Sequence, residues 1–357
     1  PDTWIRSNGH GGFTTNKLHV VVDEVTYETG GRWGAWANGG GSSLELVDAH
    51  ANRRLASNWG DSDETAKAPW VNIESYGQLD NGPTGSQGAT PSLVQVGILD
   101  IGECLVDEIE VRPGTNGPNY VRNPSFEDPL NPGLDWQAQG CLVRSSVEAG
   151  GYNGGKAMHL RCSDRIWTGA NSLQGTLTNT SLGAGKMATL RLKARWLRGW
   201  PEVLMRLNGN WVEATGELPV PTNLGTPGLP NSRAVTNAGP AIYEVAHAPS
   251  LPAAGQPAVV SARLHDPDGI QSAILYYRID PSTSYTGVPM TDDGLGGDSH
   301  PGDGLFSATV PGQPAGTLVA FYIEARDTAA GVTRFPALRN DNSPVPEGVI
   351  LFGDATP

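Results

Sequence analysis

Long helical periodicity is almost absent from this sequence, and so are the usual marks of nucleic-acid binding, membrane insertion and zinc binding. Charged residues fill only 17% of the 357 positions, and acids outnumber bases to give a formal net charge of −13. Binding to phosphate backbones needs stripes of Lys and Arg. The one basic cluster is Arg191, Lys193, Arg195 and Arg198. Residues two apart on a strand share a face, so the first three form one stripe, read here as a solvated sheet face. No nucleic-acid partner is expected. No apolar run approaches the roughly 18 residues of a membrane span. The best stretch, 93–106, is broken by Asp100 and Glu103, so no membrane span is expected. Cysteine is scarce. Cys104, Cys141 and Cys162 form no CxxC pair, which argues against a zinc site. Cys141 lies in a run, 140–144, that reads as a strand, and Cys162 ends another, 157–162. A Cys141–Cys162 disulfide between neighbouring strands is expected, with Cys104 as a buried thiol. That pairing points to an oxidising compartment. The chain starts at Pro1 with no Met and no charged-then-apolar leader, which reads as a mature chain whose signal peptide has gone.

What is present suits sheets and turns. There are 47 Gly, 28 Pro and 10 Trp, and 38% of residues are hydrophobic. That is enough for packed cores, and the length allows two to three domains. Strand alternation recurs at 19–25, 44–47, 93–98, 104–111, 157–162, 188–196, 203–207, 258–264, 273–279 and 319–325. Turn clusters of Gly, Asn, Asp and Pro separate these runs, a spacing that predicts β-sandwiches or jelly rolls. The one helix candidate is 62–68, where Asp61, Asp63 and Glu64 suit an N-terminal turn. Three blocks emerge: 1–60, 61–217 and 238–357, with a Pro/Gly-rich linker at 219–232. The fold class is all-β, in several β-sandwiches.

Residues 18–48 read LHVVVDEVTYETGGRWGAWANGGGSSLELVD. They resemble the second half of a lamin-tail domain, an Ig-like sandwich with a VVDxVxY strand, a Trp and GGGxSLEL. That family closes with GTPGxxN, which here stands at 225–231. The resemblance implies a discontinuous domain, 1–60 plus 218–237, lacking its N-terminal half and interrupted by block two. Block two resembles the jelly-roll carbohydrate-binding modules of secreted bacterial enzymes. NYVRNPSFE at 119–127, Trp136 and GYNGGKAMHL at 151–160 carry that likeness. The strand that should close such a module, LVDEIEV at 105–111, precedes the opening motif. Either the jelly roll of 61–217 is permuted, or one jelly roll ends and another begins. Block three resembles an Ig-like or fibronectin-like sandwich of secreted bacterial proteins. HDPDG at 265–269, LYYR at 275–278, TDDGLGGDS at 291–299 and GDGLFSATVPG at 302–312 carry it. The combination is similar to very large surface proteins of planctomycete-type and verrucomicrobial-type bacteria, so the expected location is extracellular or on a bacterial cell surface.

No catalytic constellation is selected. GxSxG and HExxH are absent, and GAGK at 183–186 lacks both the upstream Gly and the following hydroxyl of a phosphate loop. No pair of acids is singled out for glycoside hydrolysis. His19 and His159, both in strand-like runs, read as packed or surface residues, and the chain reads as non-catalytic. Hard cations need several oxygen ligands, and two places offer them. The jelly-roll resemblance implies a structural calcium held by Asp107 and Glu127, although Glu108 replaces the usual second Asp. In block three, Asp266, Asp268, Asp292, Asp293, Asp298 and Asp303 crowd two loops. Asp in such sequences also caps turns, so both roles stay open. Sugar binding needs exposed aromatic faces, and the resemblance offers Tyr152 and Trp167, whereas Trp136 belongs to the packing motif.

Two functions follow as expectations. A sandwich missing strands leaves open edges that invite pairing. A strand from another copy could fill the gap by β-addition and build a fibre or surface layer. The missing strands could equally lie on the rest of a longer surface protein. The alternative is a carbohydrate-binding fragment of such a protein, with a polysaccharide as partner.

Overall fold

A computed structural model describes residues 2–18, 24–79, 90–131, 133–165, 171–179, 181–208, 212–338 and 344–353. The chain is all-β. Among the described residues the only helical turns are two 3-10 turns, at Ala56–Asn58 and Gly140–Leu142. The helix expected at 62–68 is absent. Its polar residues are drawn into tertiary bonds: the Glu64 carboxylate accepts from Gly225 N at 3.1 Å, and Lys67 Nζ donates to Gly225 O at 2.5 Å. Pro69 follows directly.

Among the described residues the strands form six sheets. At the N-terminus β1 (Asp2–Ser7) and β2 (Phe13–Leu18) make an antiparallel hairpin. A short pair follows, β3 (Leu44–Leu46) with β4 (Trp59–Asp61). Of the strand expected at 19–25, residues 19–23 lie outside the described residues, and 24–25 are irregular. The segments 43–64 and 225–238 are far apart in sequence but interlocked in space. Buried Glu45 joins them. Its carboxylate accepts from Thr226 Oγ1, from Ser232 Oγ at 2.8 Å and from Arg233 N at 3.2 Å. Val235 N donates to Val47 O and Ala238 N to Asp48 Oδ2.

Two five-stranded sheets form the central sandwich. One runs β5 (Val71–Gln78), β12 (Met187–Gly199), β7 (Gly102–Pro113), β10 (Lys156–Cys162) and β9 (Ser146–Ala149). The other runs β14 (Glu213–Glu217), β13 (Glu202–Leu207), β6 (Leu93–Ile98), β11 (Leu173–Thr176) and β8 (Trp136–Ala138). Alternation decides the packing. In β12, Leu190, Leu192, Ala194 and Trp196 face one shared core, while Arg191, Lys193 and Arg195 face outward. The stretch 105–111 lies within β7, and 119–127 is stitched onto that same strand. Asn119 bonds Ile109 O and Val111 N, each at 3.0 Å, and Ile109 N donates to Pro124 O. Phe126 and Trp136 meet at 5.4 Å inside the same core. The closing strand and the opening motif therefore share one sandwich.

The last unit packs β15 (Ala241–Ala248), β16 (Ala258–His265) and β19 (Leu305–Val310) against a second sheet. That sheet runs β18 (Thr286–Pro289), β17 (Ile270–Ile279), β20 (Leu318–Asp327) and β21 (Val332–Phe335), with β22 (Gly348–Leu351) also on β20. Its core is separate from that of the central sandwich and holds Leu275, Val319, Ile323, Ile350 and Phe352.

Candidate functional site

A polar concavity lies on the outer face of the β5–β12–β7 sheet. Asn72 and Glu74 come from β5, Arg191 and Lys193 from β12, Glu108 and Glu110 from β7. Tyr152 and Asn153 close it from the loop before β10, and the groove holds about 390 Å³. Tyr152 is 42% exposed, packs edge-on against Trp70 at 5.9 Å and carries Lys193 Nζ over its face at 4.8 Å. The floor is pre-organised by charge. Arg191 grips both Glu74 oxygens at 2.9 Å and reaches Glu110 at 3.2 Å. The stripe expected from the sequence is thus real as a shared face, but Arg191 is paired, and Arg195 donates to Ala68 O. The second aromatic expected for sugar, Trp167, lies outside the described residues.

Beside this groove, the glycine-rich loop 150–155 wraps Asp107 and Glu127. Asp107, only 2% exposed, accepts from Tyr152 N and Glu108 N, each at 2.7 Å. Glu127 accepts from Lys156 N at 2.8 Å. The glycines are required by the approach. A Cβ on Gly155 would fall 2.0 Å from Glu127 Oε1, and one on Gly151 would fall 2.2 Å from Lys156 O. Glu108 takes a φ of +48° where β7 and β12 slip register, a bulge of the kind that re-aims side chains. Burial pushes the Asp107 carboxyl up to about 6, against the pull of its backbone hydrogen bonds, and Glu108 and Glu127 add repulsion. Among the described residues no Lys, Arg or His side chain forms an ion pair with Asp107. A buried carboxylate without a cationic partner, beside a second carboxylate, is a donor set suited to a hard cation.

The structure divides the six aspartates of the last unit. Oxygens of Asp292, Asp298 and Asp303 gather within 4.8 Å of one another. Asp266 and Asp293 instead cap their own turns through Asp268 N at 2.8 Å and Leu295 N at 3.0 Å. Asp268 contributes its carbonyl, to Thr328 Oγ1, at 2.6 Å. The converging three also cap turns: Asp292 accepts from Gly302 N and Gly304 N, and Asp298 from Gly294 N and His300 N.

Cys141 and Cys162 lie side by side, Sγ to Sγ 3.1 Å, as thiols without a covalent bond. Cys141 sits in the Gly140–Leu142 3-10 turn and not in a strand; the turn packs against β10, and that contact brings the sulfurs together. His159, also buried, lies on the outer face of β10 with Glu103 at 2.9 Å on Nε2 and Glu148 at 3.0 Å on Nδ1. Arg198 and Arg161 complete that network.

A second concavity, of about 480 Å³, opens at the β3–β4 pair and is lined largely by apolar groups of Val25, Tyr27, Ala37, Leu44 and Trp59, with Glu28 at its rim. Its lining depends on how 24–38 folds without regular strands, which alternation in the sequence does not mark.

No family model and no curated protein matches the chain. Among solved structures it is similar to the crystal structure of a DUF4785 family protein from Legionella pneumophila subsp. pneumophila str. Philadelphia 1. The likeness covers 82% of this chain and 67% of that one, at 8% identity and a TM-score of 0.22, too slight to bear on fold or function.

Proposed function

We propose that this chain is a non-catalytic extracellular structural or adhesive subunit that self-assembles, as a fibre or surface layer, through its β-sheets. One observation carries the reading: the N-terminal unit is underbuilt. Among the described residues β1–β2 and β3–β4 are each sheets of two strands, and an isolated two-stranded sheet is marginal in water. An apolar hollow stands open beside β3–β4. The central and last sandwiches each bury a hydrophobic core, so the N-terminal strands are where a partner gains most by binding. Velocity sedimentation across a concentration series tests the reading. Growth of species beyond the monomer supports it, and a single monomer boundary at every concentration contradicts it.

The Tyr152 groove favours a second reading, carbohydrate binding. An exposed aromatic face flanked by the amides of Asn72 and Asn153 and by charged groups matches the chemistry of a saccharide. Binding to a polysaccharide panel that is lost in Tyr152→Ala supports this reading, and no retention on any polysaccharide removes it. In either reading the Asp107–Glu127 loop and the Asp292–Asp298–Asp303 cluster are proposed to hold calcium that braces loops.

A further inference from the structure

We infer that the β1–β2 hairpin of one copy seats its Ile5–Phe13 face in the apolar hollow of a second copy, resting on the self-assembly reading above. The hairpin is a sheet without a core. Every described side chain from residue 5 to 15 is exposed except at Gly12, which is partly covered. The register pairs Ser7 with Phe13 and Ile5 with Thr15. Side chains alternate between faces, so Ile5 and Phe13 lie diagonally adjacent on one face. They are 69% and 74% exposed. Two large apolar groups side by side on a two-stranded sheet are a cost with no return inside this chain.

The hollow supplies the complementary surface. Leu44 and Trp59 come from β3 and β4, and Val25, Tyr27 and Ala37 come from the irregular segment before them. Its volume, about 480 Å³, is in the range that accepts a few large side chains. Charge agrees with this pairing. The hairpin carries Arg6 and Lys17 against one acid, Asp2, whereas the lining of the hollow carries Glu28 and no base. Opposite charge at the rim steers encounter and fixes orientation. The occupant is a second copy because the hairpin stands exposed in its own chain, outside its own hollow. Each copy then offers one donor and one acceptor at different places. Such heterologous contacts repeat head to tail and leave the assembly open.

The test uses the full chain. Phe13 is exposed, so Phe13→Asp changes no core. We expect it to weaken association by roughly tenfold to a hundredfold, the loss that follows from one buried Phe side chain, with an unchanged melting temperature for the monomer. For the contact itself, p-benzoylphenylalanine replaces Phe13 in a mixture of ¹⁵N and ¹⁴N copies. Light-induced cross-links to 24–59 that join the two isotopes establish the contact between copies. Cross-links confined to one isotope place the hairpin in its own hollow and overturn the inference, as do cross-links to any other surface. Assembly undiminished by Phe13→Asp overturns the inference alone and leaves self-assembly standing. A chain that stays monomeric overturns both.

Discussion

Single carboxylates do much of the joining in this molecule, and their settings make distinct predictions. Burial works against the charge of Glu45, yet hydrogen bonds from Thr226, Ser232 and Arg233 hold its carboxyl below the usual range. Those three residues lie more than 180 residues away along the chain. Glu45→Ala removes the acceptor, and hydrogen bonds to charged groups contribute about 1.5–3 kcal/mol. We expect stability of the N-terminal unit to fall by about that amount, read as faster proteolysis in 219–235. Glu148 behaves differently with pH. Its carboxyl is half-exposed and burial opposes its charge, but Arg161, His159 and Ser146 pull it down to about 2. Its folded value lies below the unfolded one. The stability it lends is therefore full above the ordinary carboxylate range and is lost as pH falls from about 4.5 towards 2. Glu148→Gln should flatten that part of the acid unfolding curve, measured by fluorescence; an unchanged acid limb would contradict the assignment. The cysteine pair was legible only in part. Spacing suggested partners, but the 3-10 turn that presents Cys141 has no sequence pattern of its own. Burial, then its neighbour Cys141, pushes the Cys162 thiol up to about 12, so oxidation at neutral pH is slow. Exchange with oxidised glutathione should still link the pair, with Cys104 left as a thiol. Closing a loop of about 20 residues stabilises by roughly 3 kcal/mol. Mass spectrometry without reductant would show the bond, and persistence of three free thiols would contradict it.

Strands with strict alternation and apolar residues were readable in advance, because each has one face in a core. β6 matches its expected span, 93–98, and β7, β10, β12, β13, β16, β17 and β20 contain theirs. The missed strands are short or edge elements. β8 has three residues, and β5 buries little besides Ile73. The misread helix at 62–68 shows the same limit. Acids after a Ser look like a helix start, but Glu64 is held by Gly225, some 160 residues away. Loops pose the calcium question. The Asp107–Glu127 loop and the Asp292–Asp298–Asp303 loops are each rich in backbone donors, so each is held partly without an ion. Adding millimolar calcium to chelator-treated protein should raise the melting temperature. Asp107→Asn and Asp292→Asn, made separately, assign the rise to one loop or the other. No rise in the parent protein would mean that the carboxylates act as turn caps alone.

At the scale of the whole molecule, specific contacts join the N-terminal segment to the central sandwich and to the last one. Arg32 reaches from the N-terminal unit to Ile242 O and lies over the Phe335 ring at 5.0 Å. Asp48 receives Ala238 N at the start of the last unit. Gly199 N donates to Gly40 O, and Arg198 lies over Trp36, joining the N-terminal unit to the central sandwich. The central and last units each close around their own core, whereas the N-terminal one leaves a hollow and a bare hairpin. Which residues line the hollow was not visible in the sequence, because they sit on irregular backbone that alternation does not mark. The N-terminal strands are proposed to be completed by other copies of the chain. Electron microscopy of native, undenatured protein, with light scattering on the same sample, tests this most directly. Regular polymers whose mass grows with concentration are expected, and a uniform monomer under the same conditions would rule out self-assembly.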